Sequence, residues 1–384
     1  MVLSLEVPFL YYIMIRNSRT YPGLIFVPKH VVILSKTTRL DYGRQKHTQL
    51  NRVQFCALLK RSGCNYKGMK KKHNEQQNYV RAMRQCLESY GIEEVATRSE
   101  YTTQAVAHAD AVFSAGDDGT FLVAAEKKRD HRAVVGFNTD PLGSEGYLCI
   151  AREGTEPFAE IIEKLLKGEC RRIRRQRIRV AILNWVENNE NNAEYDEECY
   201  EKSERLRKGR IFTMKLFLQD DCDPEYPLLA LNDVFIGESH AFRVSNYDIE
   251  IDGPMVRQKS CGMTACTGRG SNLSWNYNIN RVSEQHVGEL LSVMEGMHLL
   301  TTIPTNAITH EICKPIVFTA RDPLFNTTFP AGTQRGFAKK IRVRSRCTNG
   351  YIVLDGNASV PFNSGMKVLL EIHESDALCP TVFS

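Results

Sequence analysis

The sequence predicts an α/β N-terminal domain, a parallel sheet with flanking helices, followed by a mainly antiparallel, β-rich C-terminal domain. Two observations lead to this prediction. Between residues 30 and 138, short apolar runs alternate with segments of helical periodicity, which is typical of a parallel sheet covered by helices. Beyond residue 171, short runs of alternating polar and apolar residues are separated by turn residues, which is typical of antiparallel strands. The 384 residues are enough for two or three domains.

Four apolar runs in the first half are predicted to be the parallel strands, at 30–36, 92–98, 110–116 and 132–138. Helical periodicity predicts helices at 52–60, 76–91, 118–128 and 157–168. Gly91 and Gly168 end two of these helices, since glycine is a common C-terminal stop. The segment 62–77, which contains a cluster of three lysines, is predicted to be a solvated loop.

The second half is predicted to be a series of strands, at 170–183, 211–219, 228–238, 246–253, 339–347, 350–356 and 366–373. The first of these, "CRRIRRQRIRVAIL", alternates basic and apolar residues. That alternation favours a strand with one wet face over an arginine-rich arm that binds nucleic acid. Residues 186–210 are acidic, rich in asparagine and poor in aliphatic residues, so they are predicted to be a flexible insertion in a hairpin.

These patterns divide the chain into four parts: residues 1–29, an α/β domain over 30–155, a β-rich domain over 156–372 and a tail over 373–384. The first part has three basic residues against one acid, which is compatible with a transit segment and equally with a disordered terminus. One interpretation of the tail is that the chain returns there to the N-terminal domain.

Composition excludes several classes of protein. The net charge of +5 does not indicate a nucleic-acid partner, although it suits a small anionic substrate. No apolar run approaches the roughly 18 residues of a transmembrane helix, so no membrane insertion is expected. The 12 cysteines contain no CxxC pair and several lie in apolar segments, so we expect reduced thiols in an intracellular protein.

One predicted strand–helix junction, Gly116-Asp117-Asp118-Gly119-Thr120, carries candidate catalytic residues. Glycines let a backbone approach phosphate closely and adopt positive φ, and the amides at a helix N-terminus point at an anion. A carboxylate beside phosphate makes sense if it faces a hydroxyl to be deprotonated or a Mg²⁺ ion. Transfer of a phosphoryl group to an alcohol needs all of these parts. The alternative is that one of the two aspartates only caps the helix, and spacing alone favours neither interpretation.

The junction resembles the Gly-Gly-Asp-Gly-Thr signature of the NAD kinase family, which diacylglycerol and sphingosine kinases and phosphofructokinases share more loosely. Four further stretches resemble that family in the same order: "VVGFNTDPLGSEGYL" at 134–148, "LALNDVFIGES" at 229–239, "GMTACTGRGSNLSWNYNINR" at 262–281 and "YIVLDGN" at 351–357. The residues in these stretches resemble those of the mitochondrial branch of the family. The resemblance covers roughly residues 30–372.

This resemblance implies phosphorylation of the 2′-hydroxyl of the adenosine ribose of NAD, with ATP as donor and Mg²⁺ as its companion ion. Asp118 aligns with the family's catalytic carboxylate, which acts as a general base or orients the hydroxyl. The residues that would bind ATP or its phosphates are Gly116, Gly119, Thr120 and Asn138. On the same ground, the α/β domain over 30–155 is expected to bind ATP and carry the catalytic residues, and the β-rich domain over 156–372 is expected to bind NAD. A homodimer in the mitochondrial matrix is also expected.

The residues that the resemblance implies for NAD binding are Asn232, Asp233, Ser271, Ser274 and Trp275. Asp233 is one methylene shorter than the glutamate usual in the family. Trp275 stands where the family has tyrosine, and an aromatic ring there can stack on a base or a nicotinamide.

Asp117 departs from the family, because it stands where the second glycine of the signature is expected. It adds a charge near the phosphate, and a role at a metal ion is one interpretation of it. Aspartate also adopts left-handed conformations less readily than glycine. Two alternatives therefore stay open: a lipid or sugar-phosphate kinase of the same superfamily, and an NAD-binding protein that Asp117 has weakened as a catalyst.

Overall fold

The structure is a computed structural model that describes residues 20–21, 28–127, 133–141, 143–144, 148–149, 158–184, 228–240, 243–267, 316–326 and 334–382. The chain forms two compact units. The N-terminal unit contains Thr20–Ile173 together with the C-terminal segment that begins at Cys379, and the C-terminal unit contains Arg174–Leu378.

The strands of the N-terminal unit are β1 (Thr20–Tyr21), β2 (His30–Ser35), β3 (Glu93–Ala96), β4 (Ala111–Ala115), β5 (Ala133–Phe137), β6 (Arg171–Ile173) and β19 (Thr381–Val382). Four of them form a parallel sheet in the order β3-β2-β4-β5. Every residue of β4 and β5 is buried, and such continuous apolar strands are typical of a parallel sheet covered on both faces. The other three form a small antiparallel sheet, β1-β6-β19.

The helices of this unit are α1 (Arg39–Lys46), α2 (Arg52–Arg61), α3 (Tyr66–Ser89), α4 (Thr103–His108), α5 (Asp118–Glu126) and α6 (Phe158–Leu166). The predicted loop at 62–77 is wrong for most of its length, because α3 begins at Tyr66 and has 24 residues. None of residues 66–75 is buried, so the first turns of α3 have no apolar stripe from which periodicity could indicate a helix. The predicted stops are confirmed, since Gly91 and Gly168 follow α3 and α6 at φ values of 68° and 74°.

The strands of the C-terminal unit are β7 (Ile178–Asn184), β8 (Leu228–Ala230), β9 (Asp233–Glu238), β10 (Ser245–Ile251), β11 (Met255–Ser260), β12 (Met263–Cys266), β13 (Ile316–Ala320), β14 (Arg335–Ala338), β15 (Lys340–Ser345), β16 (Gly350–Leu354), β17 (Ala358–Pro361) and β18 (Lys367–Ile372). They form two six-stranded antiparallel sheets, β11-β10-β15-β18-β7-β8 and β14-β13-β12-β9-β16-β17. Val180 and Val343 of the first sheet share one core with Ile236 and Phe318 of the second, so the sheets pack face to face.

The predicted fold class, a parallel α/β domain followed by a mainly antiparallel β domain, is confirmed. The predicted strand at 228–238 is two strands, β8 and β9, with Leu231 and Asn232 between them. The predicted insertion at 186–210 and the predicted strand at 211–219 lie outside the described residues. In the described part of the chain, no helix combines the length and the apolarity that crossing a membrane requires.

Candidate active site

The carboxyl ends of three parallel strands meet at one edge of the N-terminal sheet. Ser35, Ala115 and Phe137 lie side by side in the last register positions of β2, β4 and β5. The chain passes from β2 to β3 on one side and then to β4 on the other, so the strand order reverses between β2 and β4. Ligands of open α/β sheets bind at such a switch point. The segment Gly116–Thr120 begins there.

Gly116 is explained by close packing. Its N–H donates to the Phe137 carbonyl at 2.9 Å, which ties the end of β4 to β5. A Cβ at this position would lie 2.8 Å from the Cβ atoms of both Lys36 and Thr120, closer than real side chains pack. Neither Gly116 nor Gly119 has a positive φ, so the conformational reason expected for these two glycines does not apply.

Asp117 is the N-cap of helix α5. Its Oδ1 accepts from the Thr120 N–H at 3.3 Å and from the Thr120 hydroxyl at 3.2 Å. Its Oδ2 accepts from the Lys36 ammonium at 2.6 Å. Burial favours the neutral carboxyl, but Lys36 and the Thr120 donors outweigh it and hold the pKa of Asp117 below its ordinary value.

Asp117, which stands where the family signature has glycine, has an ordinary backbone conformation. Its backbone is extended, with φ −93° and ψ −174°, a region that any residue adopts. Aspartate in place of the family's glycine therefore causes no backbone strain. The charge that it adds is paired with Lys36.

Asp118 is the first residue of α5 and is half-buried. Its Oδ1 accepts from the Leu148 N–H at 2.9 Å. The positive end of the helix dipole stabilises a carboxylate in the first turn. The two adjacent aspartates thus have different surroundings, and the capping role belongs to Asp117.

Gly119 and Thr120 complete the first turn of α5. The Thr120 hydroxyl is used by Asp117 and its side chain is buried, so packing explains this residue. Gly119 is exposed, and among the described residues a Cβ there would approach only Asp117 Oδ1, at 3.6 Å. Packing within the described residues therefore does not explain the glycine at 119.

Asn138 lies directly after β5 and is buried. Its Nδ2 donates to the Ser144 carbonyl at 3.1 Å, and its Oδ1 accepts from the Asp140 N–H at 3.0 Å. The side chain thus holds the loop that follows the strand. The predicted contact of Asn138 with ATP stays a prediction.

A buried side chain of helix α3 joins the ends of the three strands. Gln76 Nε2 donates to Ser35 Oγ at 3.1 Å and to the Ala115 carbonyl at 3.0 Å, and its Oε1 accepts from the Thr139 hydroxyl at 2.5 Å. One amide therefore fixes the spacing of the loops at the switch point. Sequence reasoning missed it because Gln76 lies in a polar stretch.

The Asn232-Asp233 pair lies in the C-terminal unit, where a tight turn leads into β9. The carboxylate of Asp355 accepts from the N–H groups of Leu231, Asn232 and Asp233 at 2.8, 2.8 and 3.1 Å. On the same turn, the Thr267 hydroxyl donates to the Leu231 carbonyl at 3.0 Å. Burial raises the pKa of Asp355 to about 6, although the three N–H donors favour its ionised form.

Asn232 itself is buried, and its Oδ1 has no hydrogen-bond partner among the described residues. A buried polar atom of this kind usually has a partner, which can be water or a ligand. The other residues predicted to bind NAD, Ser271, Ser274 and Trp275, lie outside the described residues.

A metal ion that accompanies ATP needs few protein ligands, because Mg²⁺ keeps several waters and binds one or two carboxylates besides the phosphates. Within the described ranges, no three His, Cys, Asp or Glu side chains are grouped so that they could hold a metal ion. Both oxygens of Asp117 already accept from Lys36 and Thr120. The role of Asp117 at a metal ion stays a prediction.

Lys36 is a further residue of this site that sequence reasoning missed. It directly follows β2, and its N–H donates to the Ala115 carbonyl at 2.8 Å. The available signal was a basic residue immediately after a buried strand, at the edge where ligands of parallel sheets bind.

Comparison with known proteins connects this geometry to a family. The chain is 36% identical over 373 residues to "NAD kinase 2, mitochondrial" of Rattus norvegicus, covering 92% of this chain and 87% of the relative. It is 36% identical over 373 residues to the Homo sapiens protein of the same name, covering 92% of this chain and 84% of the relative. The Xenopus tropicalis protein of that name is 34% identical over 394 residues, covering 92% of this chain and 90% of the relative.

Among solved structures, yeast NADH kinase complexed with NADH matches with a TM-score of 0.51 and 12% identity, covering 96% of this chain and 87% of that chain. At that identity the match supports the fold alone. No protein-family model matches the chain. Because relatives at 34–36% identity span 92% of its length, the chain belongs to the NAD kinase family, within the mitochondrial NAD kinase branch.

Proposed function

We propose that the protein transfers the γ-phosphoryl group of ATP to the 2′-hydroxyl of the adenosine ribose of NAD, with Asp118 as the base or the hydroxyl-orienting carboxylate. The observation that carries this proposal is the difference between the two aspartates. Asp117 is committed to the helix cap and to Lys36, whereas Asp118 stands in the first turn of α5 at the switch point. Family membership supplies the substrate class.

In the proposed step, the 2′-oxygen of NAD forms a bond to the γ-phosphorus of ATP. The bond from that phosphorus to the bridging oxygen breaks, and ADP leaves with the electron pair. Asp118 accepts the proton of the hydroxyl, so that NADP and ADP are the products. Mg²⁺ bound to ATP supplies neutralisation of the phosphate charge.

The N-terminal turn of α5 suits a phosphate in this reaction. The first amides of a helix point outward and the dipole favours an anion, so the backbone around Gly119 is a suitable phosphate contact. Gly119 is exposed, and among the described residues only Asp117 Oδ1 would lie near a Cβ there, which agrees with such an approach. In the C-terminal unit, the Oδ1 of Asn232, which has no partner within the described ranges, offers an acceptor for a hydroxyl or an amide of NAD.

The test is an assay of NADP formation from ATP, Mg²⁺ and NAD, with wild type beside Asp118→Asn. Loss of a positioned proton acceptor is expected to lower kcat by about 10²–10⁴-fold. Asp110→Asn is the matched control, because Asp110 directly precedes β4, at the opposite end of the strand from Asp118. Its carboxylate accepts from the N–H groups of Lys29 and His30. Wild-type rates in Asp118→Asn would contradict the role given to Asp118.

Two other functions give different results in the same assays. A lipid or sugar-phosphate kinase would phosphorylate diacylglycerol or a sugar phosphate but not NAD. A weakened NAD-binding protein would bind NAD in calorimetry and form no NADP. The ordinary backbone and the paired charge of Asp117 favour an active enzyme over the second of these.

We extend the proposal to the setting of the enzyme. The names of the relatives support a mitochondrial location, and we propose the matrix. Protease protection of the tagged full chain in intact mitochondria and in mitoplasts tests this. We further propose a homodimer, which light scattering of the purified chain would show as twice the chain mass.

A further inference from the structure

Lys36 occupies the switch point of the parallel sheet. It follows the last residue of β2, across the strand reversal from Gly116, and its backbone N–H is fixed to the Ala115 carbonyl at 2.8 Å. Its side chain packs over Gly116, since a Cβ on that glycine would lie 2.8 Å from the Cβ of Lys36. The missing side chain at 116 therefore makes room for the lysine.

The ammonium of Lys36 is held by a single carboxylate contact among the described residues. Its Nζ lies 2.6 Å from Asp117 Oδ2, and the side chain is 33% exposed. An ammonium carries three N–H donors, and the bond to Asp117 uses one of them. The ammonium is thus oriented by the N-cap of α5, and part of the Lys36 side chain is exposed.

The charges around this ammonium indicate what it can bind. Two adjacent carboxylates, Asp117 and Asp118, would repel the phosphates of ATP unless cations offset them. Lys36 is a cation in direct contact with Asp117 of this pair. Arg98, which donates to the Ser35 carbonyl at 2.7 Å, is close enough for its charge to interact with Asp117. A positioned lysine beside a transferring phosphoryl group stabilises the charge of its transition state.

We propose that Lys36 binds the phosphoryl group during its transfer, and that Asp117 is the positioning residue that holds the Lys36 ammonium at the switch point. This inference rests on the proposed NAD kinase function and deepens it. It also gives the aspartate in place of the signature glycine a purpose, because no glycine could orient the lysine.

A purely structural ion pair is the competing explanation, and the double variant separates the two. If Lys36 only neutralises Asp117, removing both charges in Lys36→Met/Asp117→Asn should restore the activity that Lys36→Met loses. If Lys36 acts on the phosphoryl group, the double variant should remain as inactive as Lys36→Met. Asparagine is also a good N-cap, so Asp117→Asn retains the start of α5.

The experiment measures kcat, the KM values for ATP and NAD, and Tm for wild type, the two single variants and the double variant. Lys36→Met is expected to lower kcat by about 10²–10³-fold, the usual cost of one lost transition-state donor, with the KM for NAD unchanged. Asp117→Asn should fall between wild type and Lys36→Met, and Lys36→Arg should retain part of the activity. Lys167→Met is the control, because it removes an ammonium paired with Glu163 at 2.9 Å at the end of α6.

A second readout does not depend on turnover. Lys36→Met should lose affinity for ATP more than for ADP in a binding titration, because only ATP carries the γ-phosphate. If circular dichroism shows that Lys36→Met is unfolded, Lys36→Gln takes its place.

Three results would overturn the inference: activity of Lys36→Met within threefold of wild type, recovery of activity in the double variant, or Asp117→Asn less active than Lys36→Met. An inactive wild type would instead count against the proposed function itself.

Discussion

Two glycines of the Gly116–Thr120 turn are expected to respond in opposite ways to one added methyl group. In Gly116→Ala the new Cβ would lie 2.8 Å from the Cβ atoms of Lys36 and Thr120. Both neighbours are fixed by backbone hydrogen bonds, so the junction of β4 and α5 must shift. In Gly119→Ala the nearest described atom is Asp117 Oδ1, at an ordinary contact distance of 3.6 Å.

The sizes of the two effects follow from these contacts. Overpacking costs about 1–3 kcal/mol, and Gly116→Ala is expected to lower the free energy of unfolding by that amount. Alanine is favoured over glycine within a helix by up to about 1 kcal/mol, so Gly119→Ala should keep or slightly raise stability. Each kcal/mol corresponds to about 2–4 °C in Tm for a unit of 150–250 residues.

Unfolding in urea, followed by circular dichroism, and the rate of NADP formation are measured for wild type and both variants. Gly119→Ala is expected to lose activity without losing stability, because its methyl group fills space that the approach of phosphate requires. Equal destabilisation by the two variants would refute the packing argument for Gly116. Full activity of Gly119→Ala would refute the role of Gly119 toward phosphate.

Two further predictions concern buried polar side chains. The pKa of about 6 for Asp355 lies above its ordinary 3.8, so the folded protein holds a proton between about pH 4 and 6 that the unfolded chain has released. This contribution to stability, about 3 kcal/mol, is complete below pH 4 and lost as the pH rises through 6. Between pH 4 and pH 7, the free energy of unfolding should therefore decrease more in wild type than in Asp355→Asn. The same pH dependence in both proteins would contradict this prediction. Gln76→Leu removes the hydrogen-bond partner of Ser35 Oγ and of the Thr139 hydroxyl, so it should lower the free energy of unfolding by about 1–3 kcal/mol. The control Gln77→Leu, at an exposed position of the same helix, should lower it little. Equal losses in the two variants would contradict the role of Gln76.

Local pattern was sufficient for the central sheet and for the position of the candidate site. The apolar runs at 110–116 and 132–138 are β4 and β5, whose residues are all buried, because strands covered on both faces need apolar residues throughout. The glycines and aspartates between 116 and 119 marked a strand–helix junction, and helix α5 begins there. Only the second part of helix α3 was predicted. Its first turns are exposed and need no regularly spaced apolar residues, so periodicity could not indicate them.

By itself, the sequence determined the fold class, the family and the pair of aspartates that carries the candidate chemistry. Only the tertiary structure showed that the charge of Asp117 is paired, because the ammonium that binds it comes from Lys36, 81 residues away. Only the tertiary structure also showed what holds the Asn232-Asp233 turn. The carboxylate of Asp355 accepts from its N–H groups, which lie 122–124 residues away in the sequence. Periodicity reports only which face of one element is buried, whereas these contacts depend on how the sheets bring distant strand ends together.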